Sequence, residues 1–366
     1  MRSPRRLRGI ASRTHRIPPT PVARRKSRLP DPHEALAGRL RWQAAGCRFL
    51  GSPFYGSLLE LATADLESGG PVWHVLEPFA GEHRESAIAL RLLAAVHRLV
   101  LLDELPELAR HYPSTGGDGD ASAAWPLFRD ALTQRHEQIQ TLVARGCQTN
   151  EVGRSAALMG GFLEVAHRTR LPLRILEIGA SAGLNLRWDR YFYESASGAW
   201  GDRSSPVRFT HSFETSPPFG RPVDVQERKG CDLNPIDPTS DEGALTLRSF
   251  VWADQLGRLA LLDGALEIAN QLPVEVERLN AAAFLERELA QPRHDVATVV
   301  YHSVFWQYVS EPDRSRIQAA IAESQTFHLA MEPAYPVFEV RLNSELLGTS
   351  LAHGTGVRWN VDSSTR

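Results

Sequence analysis

The sequence predicts an α/β fold, a mostly parallel sheet with helices on both faces, preceded by an all-helical N-terminal domain. Three observations carry this. After Leu171, short β-branched runs alternate with helical segments, the pattern that builds parallel sheets through crossover helices. No β-alternation of useful length precedes that point. The first strand-like run, Arg174–Ile178, leads directly into a turn of small residues, Gly179 to Gly183, at the kind of strand end where open sheets bind ligands.

The helical domain is expected over residues 33–147. Segments Glu34–Phe49, Phe54–Ala64, Arg84–Leu102 and Ala124–Ala144 place apolar residues three and four apart. Ser52-Pro53, Gly69-Gly70-Pro71 and Pro113 to Gly117 separate them as loops. The second domain is expected over residues 148–366. Its strands are read at Arg174–Ile178, Val223–Asp232, Val274–Leu279, Val296–Tyr301 and Phe327–Met331. Its helices are read at Leu256–Asn270, Ala281–Leu289 and from a Ser310 cap to Ser324. Val337–Leu342 and Val357–Val361 are expected to pair as an antiparallel edge, and Trp200–Phe213 to form an inserted hairpin.

Composition narrows the function. A formal net charge of −2 gives no global attraction to nucleic acid. The three cysteines, Cys47, Cys147 and Cys231, are scattered and lack C-x-x-C pairing. No disulfide framework or zinc ribbon is expected, and a reducing, cytoplasmic location fits. The chain contains no uninterrupted apolar run of the roughly 18–20 residues a membrane span needs. Residues 1–32 are rich in Arg, Ser and Pro, with no acid before Asp31, and read as a disordered basic tail.

The sharpest motif is Leu173-Arg174-Ile175-Leu176-Glu177-Ile178-Gly179-Ala180-Ser181-Ala182-Gly183-Leu184-Asn185. It reads as strand, small-residue turn and helix, with an acid at the strand's end. This acid-x-Gly-x-x-x-Gly arrangement resembles the first motif of class I S-adenosylmethionine-dependent methyltransferases, and with it a Rossmann-like fold. The resemblance implies S-adenosylmethionine as cofactor. Gly179, Ser181 and Gly183 would shape the methionine pocket, with Ser181 where the family usually has glycine. Glu177 would orient the cofactor, and Asn185 closes the motif. The family's acid after the second strand, on the ribose hydroxyls, maps to Asp232; its polar residue after the third strand, near the adenine, maps to Asn280.

The same serine opens a rival reading. Gly179-Ala180-Ser181-Ala182-Gly183 satisfies the G-x-S-x-G nucleophile elbow of serine hydrolases. An elbow normally follows several strands and an oxyanion segment, neither of which precedes Arg174, and it gives Glu177 no role.

Two further polar segments complete the candidate site. His302-Ser303-Val304-Phe305-Trp306-Gln307-Tyr308 starts where the fourth strand should end, so His302 is a candidate general base. Gln148, Asn150, Glu151 and Arg154 fall in a dense polar run before the first helix of the second domain. They are candidates to face the substrate; helix capping explains only some of them. Taken together, Q-T-N-E-V-G-R, L-E-I-G-A-S-A-G-L-N-L, W-G-D-R-S-S-P-V, G-C-D-L-N-P-I-D and H-S-V-F-W-Q-Y resemble an uncharacterised bacterial family, domain of unknown function 2332.

The expected function is therefore methyl transfer to a small molecule or protein side chain. The alternatives are a non-catalytic binding protein on the same fold, and a serine hydrolase using Ser181.

Overall fold

The computed structural model describes residues 31–360, except 84, 85 and 221. The expected basic tail lies, but for its last two residues, outside them. The sheet at the centre has eight strands. Five run parallel: β1 (Leu173–Ile178), β5 (Val225–Asp232), β6 (Val276–Arg278), β7 (Ala297–Ser303) and β8 (Phe327–Ala334), in the spatial order β6-β5-β1-β7-β8. β9 (Val337–Leu342), β10 (Glu345–Ser350) and β11 (Arg358–Trp359) extend the β8 side as an antiparallel edge. The chain is thus mixed α/β with a helical N-terminal region.

Strand parity divides the core. On β1, Leu173 and Ile175 point to one face, where they pack with Met159 and Phe162 of α8 (Arg154–Thr169). Leu176 and Ile178 point to the other, against Phe284 of α11 (Ala281–Glu288) and Ile317 of α12 (Glu311–Glu323). Both faces are covered, so β1 carries apolar residues on both, interrupted by Arg174 and Glu177. The larger core is stitched by aromatic stacking, with Phe162 against Trp188 at 4.6 Å and Trp188 against Trp200 at 5.2 Å.

The N-terminal helices are α1 (Pro32–Phe49), α2 (Pro53–Glu67), α3 (Pro71–Leu76), α4 (Ile88–Leu101), α5 (Pro106–Ala109), α6 (Ala121–Gln134) and α7 (His136–Ala144). They bury their own apolar cluster, which Trp252 and Ala253 join from the far side of the sequence. Those two follow α9 (Asp241–Phe250) and precede α10 (Leu256–Gln271). Asp254 then satisfies the start of α2, accepting from Ser52 Oγ at 2.5 Å and from the Phe54 N–H at 3.0 Å. Helical and sheet regions accordingly belong to one compact unit from Pro32 onward. Among the described residues no helix is long and apolar enough to cross a membrane.

Four local expectations change. The single helix read over Ala124–Ala144 is two, α6 and α7, broken at Arg135, whose backbone sits at φ −116°, ψ 28°. Val337–Leu342 does not pair with the last strand, because β10 lies between them. β10 escapes a pattern search because its pairing is irregular between Leu346 and Gly348, where a Cβ would stand 2.4 Å from the Arg358 carbonyl. The inserted β-element starts earlier than Trp200: β2 (Phe192–Ser195) and β3 (Gly198–Trp200) form the hairpin, with β4 (Arg208–Phe209) parallel to β2. Finally, the glycine loop leads not into an α-helix but into a kinked 3₁₀ segment, Leu184–Arg190. The Arg187 guanidinium itself donates to the Gly183 carbonyl at 2.8 Å, an acceptor an α-helix would reserve for a backbone N–H.

Candidate functional site

The register of β1 on β7 sets Glu177 beside Tyr301. Both are buried, and the Tyr301 hydroxyl donates to Glu177 Oε2 at 3.0 Å. Burial pushes the Glu177 carboxyl up to about 8, the tyrosine bond offsetting part of that rise and the Asp232 charge adding to it.

Beyond Glu177 the chain turns through three left-handed residues, Gly179 (φ 68°), Ser181 (φ 54°) and Gly183 (φ 66°). A Cβ at Gly179 would lie 2.4 Å from the Phe305 ring, and one at Gly183 2.7 Å from Val276. The Ser181 N–H donates to Asp232 Oδ2 at 2.9 Å, while the Asn234 N–H donates to Oδ1 at 2.8 Å. Ser181 Oγ is buried and has no hydrogen-bond partner among the described residues. At the next strand end Asn280 caps α11, accepting from Ala282 N at 2.9 Å, and its amide donates to Asp313 Oδ2 at 3.1 Å.

These groups surround one cavity of about 1230 Å³. Glu177, Gly179, Ser181, Asp232 and Asn280 line it from the strand ends, and Gln148, Asn150 and Arg154 from the polar run before β1. Trp42 and Phe49 of α1 line it from the helical region. The remaining candidates stand behind the wall. Asn185 is buried, accepting from Ser155 Oγ at 2.7 Å and donating to the Glu151 carbonyl at 3.2 Å. Gly183 is held against Val276. Asn150 does two jobs, since it faces the cavity while its side-chain oxygen accepts the Leu184 N–H at 2.9 Å.

Glu151 is the anchor of a buried charge cluster. It is ion-paired with Arg258, and its Oε2 lies 3.1 Å from His353 Nδ1, without hydrogen-bond alignment. Burial alone would raise its carboxyl, but the Arg258 guanidinium and then His353 outweigh that and hold it well below the usual carboxylate range. Two backbones touch to make this cluster: a Cβ at Gly354 would fall 1.9 Å from the Gly153 carbonyl, and one at Gly153 2.1 Å from the His353 carbonyl.

His302 is not brought to the cavity. It follows Tyr301 by one residue on β7 and so faces the opposite side of the sheet. There the neighbouring strand β8 offers His328 and Glu332 on either side of the Ala330 position that pairs with it. His302 is fully buried, with Nδ1 2.8 Å from Glu332 Oε1 and Nε2 2.9 Å from His328 Nε2. No ring nitrogen is left for a substrate, and the base role expected of it has no geometric footing. The same Glu332 oxygen accepts the Phe305 N–H at 2.8 Å, so the pair fixes the loop that lays Phe305 over Gly179. That loop stores strain: Val304, β-branched, sits at φ 53°. His302→Ala is expected to cost about 1–3 kcal/mol of unfolding free energy by leaving Glu332 and His328 short of a partner; urea unfolding measures it.

Sequence reasoning missed Tyr301, Asp313, Arg258, Trp252 and His353. Period-two counting marks Tyr301 as the cross-strand neighbour of an inward acid. Arg258 and His353 carry no motif; only the fold joins them to Glu151. Among the described residues, no group of three or more His, Cys, Asp or Glu side chains is placed to hold a metal ion.

A family model for an uncharacterised protein conserved in bacteria, DUF2332, matches residues 37–360, and the chain belongs to that family. Searches of curated proteins and of solved structures find no match.

Proposed function

We propose that this protein is an S-adenosylmethionine-dependent methyltransferase on a Rossmann-like fold, acting on a small molecule or protein side chain. One observation carries the reading: the order β6-β5-β1-β7-β8 with polar groups at successive strand ends around a single cavity. From β1 the sheet grows first toward β5 and β6, then toward β7 and β8 on the other side. A crevice opens where that direction reverses, beyond the C-terminal ends of the strands.

The residues fit such a ligand. Asp232 keeps lone pairs free beyond its two backbone bonds and would accept from the ribose hydroxyls. Asn280, with Asp313 behind it, stands at the adenine end. Glu177 offers a carboxyl to the cationic amino group, and Ser181 Oγ is a buried hydroxyl in need of a partner. When bound, the cofactor supplies an electrophilic methyl group; the protein's part is alignment of donor and acceptor in a space lined by Trp42, Phe49 and Phe305.

A non-catalytic protein on the same fold, binding the cofactor or nothing, is the second reading, favoured by the Phe305 ring against Gly179, which occupies space the cofactor's methionine portion would need. A serine hydrolase draws less support, because among the described residues no imidazole or carboxylate hydrogen-bonds to Ser181 Oγ.

The test is thermal unfolding with S-adenosylmethionine and S-adenosylhomocysteine. Ligand at 100 times its Kd should add about 2.7 kcal/mol, several degrees in midpoint. Asp232→Asn should weaken S-adenosylhomocysteine about tenfold, near 1.4 kcal/mol. No shift at millimolar ligand in the wild type removes the assignment. A shift without turnover across an acceptor panel selects the second reading.

A further inference from the structure

We infer that the cavity's inner end, beneath the helical region, is a receptor for the carboxylate of an organic acid, the methyl acceptor, with Arg154 as its anchor. The inference rests on the methyltransferase reading for the word acceptor, but the anion site itself stands on separate observations.

The first observation is an unpaired cation. Arg154 lines the cavity, and among the described residues no acidic side chain lies within ion-pair distance of it. Its Nε donates to the Ala352 carbonyl and its Nη1 to the Ser303 carbonyl, both at 3.3 Å, with Ser303 Oγ at 3.5 Å. These are long, neutral contacts, and Nη2 has no acceptor among the described residues. A guanidinium taken from water without a counter-ion is costly, and a planar two-oxygen anion is what its fork matches.

The second observation is the surplus of positive charge around it. Glu151 is the acid buried in this cluster, and Arg258 already pairs with it. His353 lies along the same wall with Nε2 buried and, among the described residues, without a hydrogen-bond partner. Arg154 and Arg258 against Glu151 leave one positive charge over, Glu332 acting on Arg154 only from beyond ion-pair distance.

The third observation is position. Arg258 sits over the Trp252 ring at 5.4 Å, and His353 meets the same ring edge-on at 5.1 Å. Trp252 belongs to the helical region's core. Arg154 itself donates to the Ser303 carbonyl at the end of β7, on one side of β1, whereas Asp232 and Asn280, assigned to the cofactor, follow β5 and β6 on the other. An acid held here places its carboxylate at Arg154 and its body toward the aromatic side chains of Trp42, Phe49 and Tyr308 that also line the cavity.

The experiment compares acetate, benzoate and phenylacetate with their uncharged amides as stabilisers of the full chain at millimolar concentration. The same series is run on Arg154→Gln and Arg154→Lys, with circular dichroism and the ligand-free midpoint recording that each variant folds. S-adenosylhomocysteine and 5′-methylthioadenosine, which lacks the amino-acid portion, are titrated alongside. The expected result is that at least one acid stabilises the wild type and its amide does not. That preference should fall at least tenfold in Arg154→Gln and return in part in Arg154→Lys, while both nucleosides bind the variants as they bind wild type. Equal responses to acids and amides, or an acid preference that survives Arg154→Gln, overturns the site. A loss of S-adenosylhomocysteine but not of methylthioadenosine in Arg154→Gln overturns the acceptor assignment, because the carboxylate held is then the cofactor's own. If neither nucleoside binds wild type while the acid preference is present and depends on Arg154, the methyltransferase reading fails and the anion site stands.

Discussion

Glu151→Ala is expected to be the most damaging single substitution in the site, costing about 3–5 kcal/mol of unfolding free energy. Three groups lean on this one carboxylate: the Arg258 guanidinium, His353 and the Gly153 N–H, which donates to Oε1 at 3.2 Å. All are at least partly shut off from water, so removing the acid leaves a buried cation rather than merely losing a contact. Glu151→Gln keeps an acceptor for Gly153 but not the charge, and should lose less. Because the folded protein holds this carboxyl below its unfolded value, its contribution is present above about pH 4 and fades as pH falls further. Urea unfolding at neutral pH is the measurement. A loss under 1 kcal/mol for the alanine variant would mean that Arg258 finds another partner.

Glu177→Gln is expected to do the opposite, stabilising the ligand-free protein on the alkaline side. Burial holds the folded carboxyl at about 8, whereas the unfolded one titrates near 4.3. Between those values the folded chain keeps a proton that the unfolded chain has released, so stability drains as pH rises, at up to about 1.4 kcal/mol per unit. Glutamine is neutral throughout and its side-chain oxygen still accepts from Tyr301. The variant should match wild type near pH 4 and exceed it by a few kcal/mol near pH 9. Parallel stability profiles for the two proteins would show that Glu177 ionises freely. A carboxyl that weakens the resting protein while facing a cavity is characteristic of groups placed for binding.

The architecture was legible where local rules act alone. β1, β5, β7, α10, α11 and α12 lie within a few residues of their expected bounds, because apolar runs, a Ser310 cap and turn residues mark them without help from the rest of the chain. Strand Glu345–Ser350 was not, since its glycine and irregular pairing are set by the Arg358 backbone opposite. The loop after Gly183 looked helical because nothing local reveals that the Arg187 side chain competes for its first carbonyl.

The candidate site divides in the same way. Glu177, Gly179, Ser181, Asp232 and Asn280 come together because each follows a strand end. His302 carried the right residue type at the right end of a strand, but parity turned it to the other face, where β8 supplies both its partners. Arg258 and His353 were invisible, being joined to Glu151 only by the path of the folded chain.

The backbone contact between Gly153 and Gly354 has a bearing on how the molecule is made. The polar run at Gln148–Arg154 emerges early in synthesis, and some 200 residues must follow before its partner exists, as the Arg154–Ala352 separation of 198 shows. Until residue 354 has left the ribosome, Glu151 and Arg154 have only part of their surroundings, whatever helices and strands have already formed. Contacts of that span close slowly, since the intervening chain must be ordered first. A polypeptide stopped just short of Leu351 would keep the five parallel strands and lose the pocket's inner wall. In such a protein, assembly of the framework and ripening of the pocket are separate events in time.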